Sequence, residues 1–177
     1  KIDFKKYSEF AKKNQMKILF DVAASHDPMI FNFKKNDSMH FCFSFNGNKT
    51  LTSGSGGIFA SNSLATISKV KILANVGKSI SNYDYVDIGY NYKMSNIQAA
   101  IALAQLQKIK KILKIKYKIF KNYQNKLELN KDVKILKNFT YINWVFFLIL
   151  NSKKQFLKLK EKFNNNKIQL NYFWKPL

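Results

Sequence analysis

Apolar residues along the first half of the chain change their spacing from segment to segment. Near the start, Phe4, Tyr7 and Phe10 recur every three or four positions with lysines between them, as on one face of a helix. In 41–45, every second residue is phenylalanine, as on one face of a strand. The first half is therefore predicted to contain a helix over 4–11, strands over 16–20, 41–45 and 57–60, and a helix over 63–74.

The second half has the longest regular pattern. From Ser95, a residue type that commonly caps a helix, to Leu127, apolar residues follow helical spacing and predict one continuous helix. The remaining segments predict a strand over 144–150, a helix over 153–163 and a short strand over 168–170. Alternation of strands and helices favours an α/β fold with a largely parallel sheet. A helix of that length is expected to join two domains.

Charge and composition narrow the possible functions. The 177 residues carry a formal net charge of +21, and all 31 basic residues are lysines. Because sequence-specific readers of nucleic acid depend on arginine, a solvated lysine surface is favoured over specific nucleic-acid binding. The single Cys42 excludes an internal disulfide, and the two histidines lack metal-ligand spacing, so no metal is expected. The longest apolar run is too short to span a bilayer, so no membrane partner is expected and a cytoplasmic location is predicted.

Lys49 is the first candidate for chemistry. It lies between the aromatic strand and a glycine-rich stretch that contains Gly54, Gly56 and Gly57. Glycines permit positive φ and close backbone approach, so a flat phosphorylated ligand can come near. A lysine held in this way can bond covalently to pyridoxal phosphate. The alternative is an ordinary lysine in a surface turn.

Asp21 and Ser44 are two further candidates. Asp21 ends a predicted buried strand, where ligands bind in open α/β sheets, and its carboxylate can pair with a protonated pyridine nitrogen. Ser44 faces away from Phe43 and Phe45, and its hydroxyl can contact a phosphate. The alternatives are a carboxylate that merely ends a strand and a small residue packed under a helix.

Two stretches together are more specific than these single positions. The segment from Ser44 through Lys49 to Gly57, followed by 89–100, resembles the DegT/StrS family of sugar aminotransferases, especially the branch that acts on nucleotide-linked sugars. Weaker similarity extends to Trp144 and 173–177. The resemblance implies the fold type I of pyridoxal phosphate-dependent transferases, which is aspartate aminotransferase-like. The implied organisation is part of the large cofactor-binding α/β domain over 1–94, a long connecting helix over 95–127, and part of the small C-terminal α/β domain over 128–177.

The resemblance also implies a role for each candidate residue. Lys49 corresponds to the lysine that bonds covalently to the cofactor and later moves protons. Asp21 corresponds to the aspartate that pairs with the pyridine nitrogen, and Ser44 to a serine that binds the phosphate. Asn91 corresponds to an asparagine that reaches the phosphate of the neighbouring subunit's cofactor. A homodimer with a shared active site is therefore expected.

The implied reaction is transamination. Pyridoxal phosphate would pass an amino group, with glutamate as the donor, to a nucleotide-linked keto-sugar for surface glycan biosynthesis. The chain departs from the family pattern at Ala24 and Asn171. It is also expected to be an internal piece of a longer protein, inactive by itself. The alternatives are a basic nucleic-acid-binding or scaffold module, and an inactive relative of the family.

Overall fold

The structure is a computed structural model, and it describes residues 3–25, 38–79, 81, 83–135 and 144–173. The chain forms two compact units, 1–118 with 140–144 and 119–139 with 145–177. The fold is of the α/β class, as predicted. In chain order, its elements are α1 (Phe4–Lys13), β1 (Ile18–Asp21), β2 (Met39–Ser44), β3 (Gly57–Ser61), α2 (Leu64–Ala74), α3 (Asn96–Leu106), α4 (Ile109–Leu127), β4 (Val133–Ile135), β5 (Leu148–Leu150) and α5 (Lys153–Asn165).

The first unit is built around a three-stranded sheet in the order β1-β2-β3. On one face, Phe20 and Phe43 are buried in the core, and Phe4 of α1 packs against them. The ring of Phe20 stacks on Phe41 of the neighbouring strand, with centroids 5.2 Å apart. Each such buried aromatic stabilises the fold by roughly 1.5–3 kcal/mol. The amphipathic pattern of α1 therefore fixes which face of the sheet it covers.

The prediction of a largely parallel sheet is wrong for half of its strand pairs. Strands β1 and β2 run parallel, but β2 and β3 run antiparallel, with Ser44 opposite Gly57. The physical reason is the connection: 45–56 form turns without a helix. A parallel return needs a crossover that usually passes through a helix, and this loop contains none.

The prediction of one continuous helix from Ser95 to Leu127 is also wrong. Two helices, α3 and α4, are separated at Gln107 and Lys108. There the amide of Lys108 bonds to the carbonyl of Gln105, three residues back, as in a tighter 3₁₀ turn. The apolar spacing continues through the break, so periodicity cannot detect it. Ser95 does cap α3 as predicted, in a capping box with Gln98.

The second unit contains the short antiparallel pair β4 and β5 and the helix α5. The strand predicted over 144–150 is confined to Leu148–Leu150, and its partner β4 was not predicted. The strand predicted over 168–170 is absent. There the amide of Ile168 instead bonds to the carbonyl of Phe163 and closes the end of α5, with Lys167 at a φ of 57°. The segment is therefore a helix cap.

Within the described ranges, no helix combines the length and the apolar character that crossing a bilayer demands. The longest of them, α4 with 19 residues, carries lysines along most of its length.

Candidate functional site

Asp21 and Ser44 lie at the same edge of the first sheet. Asp21 is the last residue of β1 and is paired in register with Cys42, two residues before the end of β2 at Ser44. Residues paired across strands, and residues two apart along a strand, point to the same face. The carboxylate and the hydroxyl therefore share the face opposite the phenylalanine core, at the carboxyl ends of two parallel strands. This is where ligands bind in open α/β sheets.

Local hydrogen bonds orient both side chains. One carboxylate oxygen of Asp21 accepts from the amide of Ala23 at 2.9 Å, and the hydroxyl oxygen of Ser44 accepts from the amide of Asn46 at 3.3 Å. The pKa of the Cys42 thiol is raised, first by burial and then by the nearby charge of Asp21. That effect supports the placement of Asp21 and Cys42 on one face. It also makes Cys42 a poor nucleophile.

Lys49 ends a tight turn that follows β2 directly. Its amide donates to the carbonyl of Asn46 at 3.0 Å. Just before this turn, Phe45 donates to the carbonyl of Gly56 at 2.8 Å, and its own carbonyl accepts from the amide of Ser53 at 3.0 Å. These bonds close the loop at its base. Lys49 is thereby held five residues beyond Ser44, with its side chain half-buried.

A small apolar cluster anchors this loop to the helices. Leu51 is 1% exposed and packs with Phe45, Ala102 of α3 and Ile109 of α4. In addition, the amide of Thr52 donates to the side-chain oxygen of Gln105 at 3.1 Å. The segment on both sides of Lys49 is thus fixed by packing as well as by hydrogen bonds.

Two glycines in the stretch after Lys49 are required by the structure. Gly56 has a φ of 90°, and a β-carbon there would collide with the sulfur of Met94. A β-carbon on Gly57 would overlap the carbonyl oxygen of Phe43 on the paired strand. These glycines therefore allow close backbone and side-chain packing within the protein. The space beside them is filled by Met94 and by the backbone of Phe43.

Trp144 is the residue near Lys49 that sequence reasoning missed. Its indole Nε1 donates to the carbonyl of Asn48 at 2.6 Å, and the amine of Lys49 lies 3.5 Å from the centroid of its ring. The amine of Lys116 on α4 donates to the carbonyl of Trp144 at 3.1 Å. Trp144 follows Asn48 by 96 positions in the chain. Only the weak family similarity at this position gave any signal.

The structure places Asn91 beside the end of α2. It forms an isolated backbone bridge with Asn75, just beyond the end of α2. The side chain is exposed. No hydrogen bond in the described part of the chain joins it to Asp21, Ser44 or Lys49. The structure therefore puts Asp21 and Ser44 on one face of the sheet, holds Lys49 in the turn that follows β2, and ties Asn91 to the end of α2.

The chemistry of these side chains fits pyridoxal phosphate. A carboxylate can pair with the pyridine nitrogen, a hydroxyl can donate to the phosphate, and an amine can bond to the aldehyde carbon. Asp21 retains this capacity, because a carboxylate accepts several hydrogen bonds. Among the described residues, no group of three His, Cys, Asp or Glu side chains could hold a metal ion.

Curated relatives share much of this chain. It is 31% identical over 139 residues to EpsN of Bacillus subtilis, which is named as a pyridoxal phosphate-dependent aminotransferase; the match covers 76% of the chain and 36% of EpsN. It is 37% identical over 139 residues to the GDP-perosamine synthase of Vibrio cholerae, with 76% of the chain and 38% of that protein covered. The chain thus spans well under half the length of both relatives.

The fold has counterparts among solved structures. Helicobacter pylori PseC, an aminotransferase of pseudaminic acid biosynthesis, superimposes with a TM-score of 0.82 at 20% identity, covering 99% of this chain and 50% of that one. The structural neighbours have the fold type I predicted from the sequence. The model of the DegT/DnrJ/EryC1/StrS aminotransferase family matches residues 1–177. The chain therefore belongs to the DegT/DnrJ/EryC1/StrS aminotransferase family.

Proposed function

We propose that the protein carrying this chain transfers an amino group to a nucleotide-linked keto-sugar for surface glycan biosynthesis, with pyridoxal phosphate as cofactor and glutamate as donor. Family membership supports the reaction class and the cofactor. The GDP-linked product named for the Vibrio relative supports the nucleotide sugar. The observation that carries the proposal is the pair Asp21 and Ser44 on one face of the sheet edge, with Lys49 in the fixed turn that follows.

Each side chain has one task in this proposal. When bound, pyridoxal phosphate supplies the electron sink for the chemistry. The carboxylate of Asp21 accepts a hydrogen bond from the ring nitrogen and keeps that nitrogen protonated. The hydroxyl of Ser44 donates to the phosphate. The Nζ of Lys49 would hold the cofactor covalently and, when free of it, would carry a proton to and from the substrate carbon.

The proposed enzyme is a homodimer with a shared active site. Asn91 is exposed, which leaves it accessible to a partner subunit, and in this proposal it serves the partner's cofactor phosphate. Its neighbours Tyr90 and Tyr92 stack on each other with centroids 5.1 Å apart, yet 55% and 76% of their surfaces are exposed. An exposed aromatic patch of this kind is typical of an interaction surface. The proposed location is the cytoplasm.

The proposal is tested by Lys49→Ala in the protein that carries this chain, with Lys110→Ala as the matched control. Lys110 is an exposed lysine on α4, remote in sequence from the sheet edge. With pyridoxal phosphate present, the parent and the control should purify with the visible absorbance of a lysine-bound cofactor. Lys49→Ala should lack it and should lose at least about 100-fold in amino transfer, since a proton-transferring group is removed. If the parent itself stays colourless, the proposed function is wrong.

The net charge of +21 keeps a second function in view, that of a basic nucleic-acid-binding or scaffold module. Such a protein would bind polynucleotide with an affinity that falls steeply as salt rises, and it would hold no cofactor. An inactive family member would instead bind the cofactor and transfer nothing. Measuring absorbance, salt-dependent polynucleotide binding and glutamate-dependent transfer on the same preparation distinguishes all three.

A further inference from the structure

The indole ring of Trp144 makes a cation–π contact with the amine of Lys49. The Nζ atom lies 3.5 Å from the centroid of the ring, well inside the distance of about 6 Å at which a cation is attracted to an aromatic face. Tryptophan is the side chain that attracts cations most strongly in this way. The half-buried lysine therefore has a defined partner within the protein.

Two further contacts fix the position of Trp144. Nε1 of Trp144 donates at 2.6 Å to the carbonyl of Asn48, the residue just before Lys49. The ring and the lysine are therefore tied to the same turn. On the other side, Lys116 donates to the carbonyl of Trp144 at 3.1 Å, and burial lowers the pKa of the Lys116 amine. Residues of α4 thus hold the backbone of Trp144 while Asn48 orients its ring.

We propose that Trp144 is a positioning residue that holds the amine of Lys49 whenever that amine is not bonded to the cofactor. The inference rests on the proposed function, because a transaminase lysine is detached while the cofactor carries the amino group. A detached lysine has four rotatable bonds and would otherwise spread over many conformations. The indole ring limits the number of lysine conformations and covers one side of the amine. The amine therefore stays close to the position from which it acts.

The test measures how fast a small acylating reagent modifies Lys49 in the cofactor-free protein, with each lysine read by peptide mass spectrometry. Trp144→Leu removes the ring and should speed modification of Lys49 by roughly 2- to 30-fold, the range that cation–π energies imply. Trp144→Phe restores an aromatic face without the Nε1 donor and should recover part of the protection. Lys116→Met should give a smaller increase than Trp144→Leu, because it loosens only the backbone. Lys114, exposed on α4, is the internal control and should react at one rate throughout.

A second measurement follows the rate at which the cofactor-free protein takes up pyridoxal phosphate covalently on Lys49. This rate should fall in Trp144→Leu and recover in part in Trp144→Phe, while the two variants unfold at similar temperatures. Equal modification of Lys49 in parent and Trp144→Leu would overturn the inference. Failure of the proposed function looks different: Lys49 would never take up the cofactor, although the acylation rates would still depend on Trp144.

Discussion

Lys49 is held by residues on both sides of it in the chain. Phe45 before it and Leu51 after it belong to one buried cluster, which also contains Ala102 and Ile109. The turn bond from its own amide to Asn46 fixes its backbone between them. An amine that must meet a ligand at a set position needs such rigid support, because small displacements of a catalytic group are costly.

Leu51→Ala should loosen this support. Leu51 is 1% exposed, so the change leaves a cavity and should lower the free energy of unfolding by about 2–5 kcal/mol. Cofactor binding should weaken as well, since the turn carrying Lys49 loses its anchor. Leu64→Ala is the control: Leu64 is 79% exposed and should change stability by less than about 0.5 kcal/mol. Urea unfolding followed by circular dichroism measures both, and equal losses in the two variants would contradict this account.

His40 gives the same sheet a pH dependence. Nδ1 of this buried histidine lies 2.9 Å from the hydroxyl oxygen of Ser61, and Nε2 has no hydrogen-bond partner in the described part of the chain. Burial, and secondarily the charge of Lys17, lower the pKa of His40 from its ordinary value. The unfolded chain therefore binds a proton more readily than the folded protein does.

The lowered pKa of His40 determines how stability should change with pH. The contribution of His40 to stability is fully present above the unfolded pKa of about 6.5 and is lost as pH falls below it towards the folded pKa. His40→Phe keeps a ring beside Phe59 but cannot titrate. Urea unfolding between pH 7.5 and pH 5 (roughly the span in which histidine titrates) should show a smaller loss of stability in the variant than in the parent. Identical slopes would refute the role of His40.

At the scale of residues, sequence position found part of the candidate site. Asp21 stands out because it ends a predicted strand, and Ser44 because it faces away from Phe43 and Phe45; the structure places both on one face of the sheet edge. Lys49 was selected by its neighbours, and its role as the cofactor-binding lysine stays a prediction. Trp144 could not be found in this way, because its contacts with Asn48 and Lys49 join distant parts of the chain.

At the scale of elements, the antiparallel pair β2 and β3 frames the turn of Lys49. Ser44 stands opposite Gly57, and the backbones approach so closely that a β-carbon on Gly57 would overlap the carbonyl oxygen of Phe43. From the sequence, the glycine-rich stretch is predicted to let a ligand approach the backbone closely. The structure shows that Gly57 permits the pairing of the two strands.

Gly57→Ala should therefore damage the pairing and the site together. Because the clash is with backbone, the strands must shift, and stability should fall by roughly 1–3 kcal/mol. The affinity for pyridoxal phosphate should fall too, since Ser44 moves with its paired residue. Gly47→Ala is the matched control, as its β-carbon would meet only the carbonyl oxygen of Gly54 at an ordinary 3.8 Å. Equal stability and equal cofactor affinity in the two variants would show that a β-carbon at position 57 does not disturb the strand pairing.

The elements also show where sequence patterns stop being informative. Alternating phenylalanines predicted β2 well, and helical spacing predicted α1, α2 and α5. The predicted direction of β3 is wrong, because apolar spacing records which face is buried and carries no information on strand direction. The prediction of one helix in place of α3 and α4 is wrong because the apolar spacing continues through the break. The pair β4 and β5 has three residues in each strand, too few for a pattern to stand out.

At the scale of the whole molecule, the chain spans 36% and 38% of the two curated relatives. Activity, substrate and assembly therefore belong to the protein that carries it. The charge of +21 bears on the behaviour of the chain itself in solution, since it favours weak, salt-sensitive adhesion to polyanions.

A shared active site predicts complementation between two inactive variants. In the proposed enzyme, Lys49→Ala would lack the covalent lysine, and Asn91→Ala would lack the group that serves the partner's cofactor. In a mixed dimer, the subunit carrying Asn91→Ala keeps its own Lys49 and receives an intact Asn91 from its partner. Co-expressed and purified as a tagged heterodimer, the pair should regain about half of the parental amino-transfer rate per dimer, the share given by one intact site of two. If Asn91 instead serves its own subunit, no activity above that of the Asn91→Ala site should return.

The central claim is that one lysine among 31 carries the cofactor. The most direct measurement is borohydride reduction of the protein after incubation with pyridoxal phosphate, followed by peptide mass spectrometry to locate the attached group. One stoichiometric modification is expected, on Lys49, with only trace labelling of the exposed lysines of α4. Labelling spread over many surface lysines with Lys49 unmodified, or stoichiometric labelling at another lysine, would contradict it.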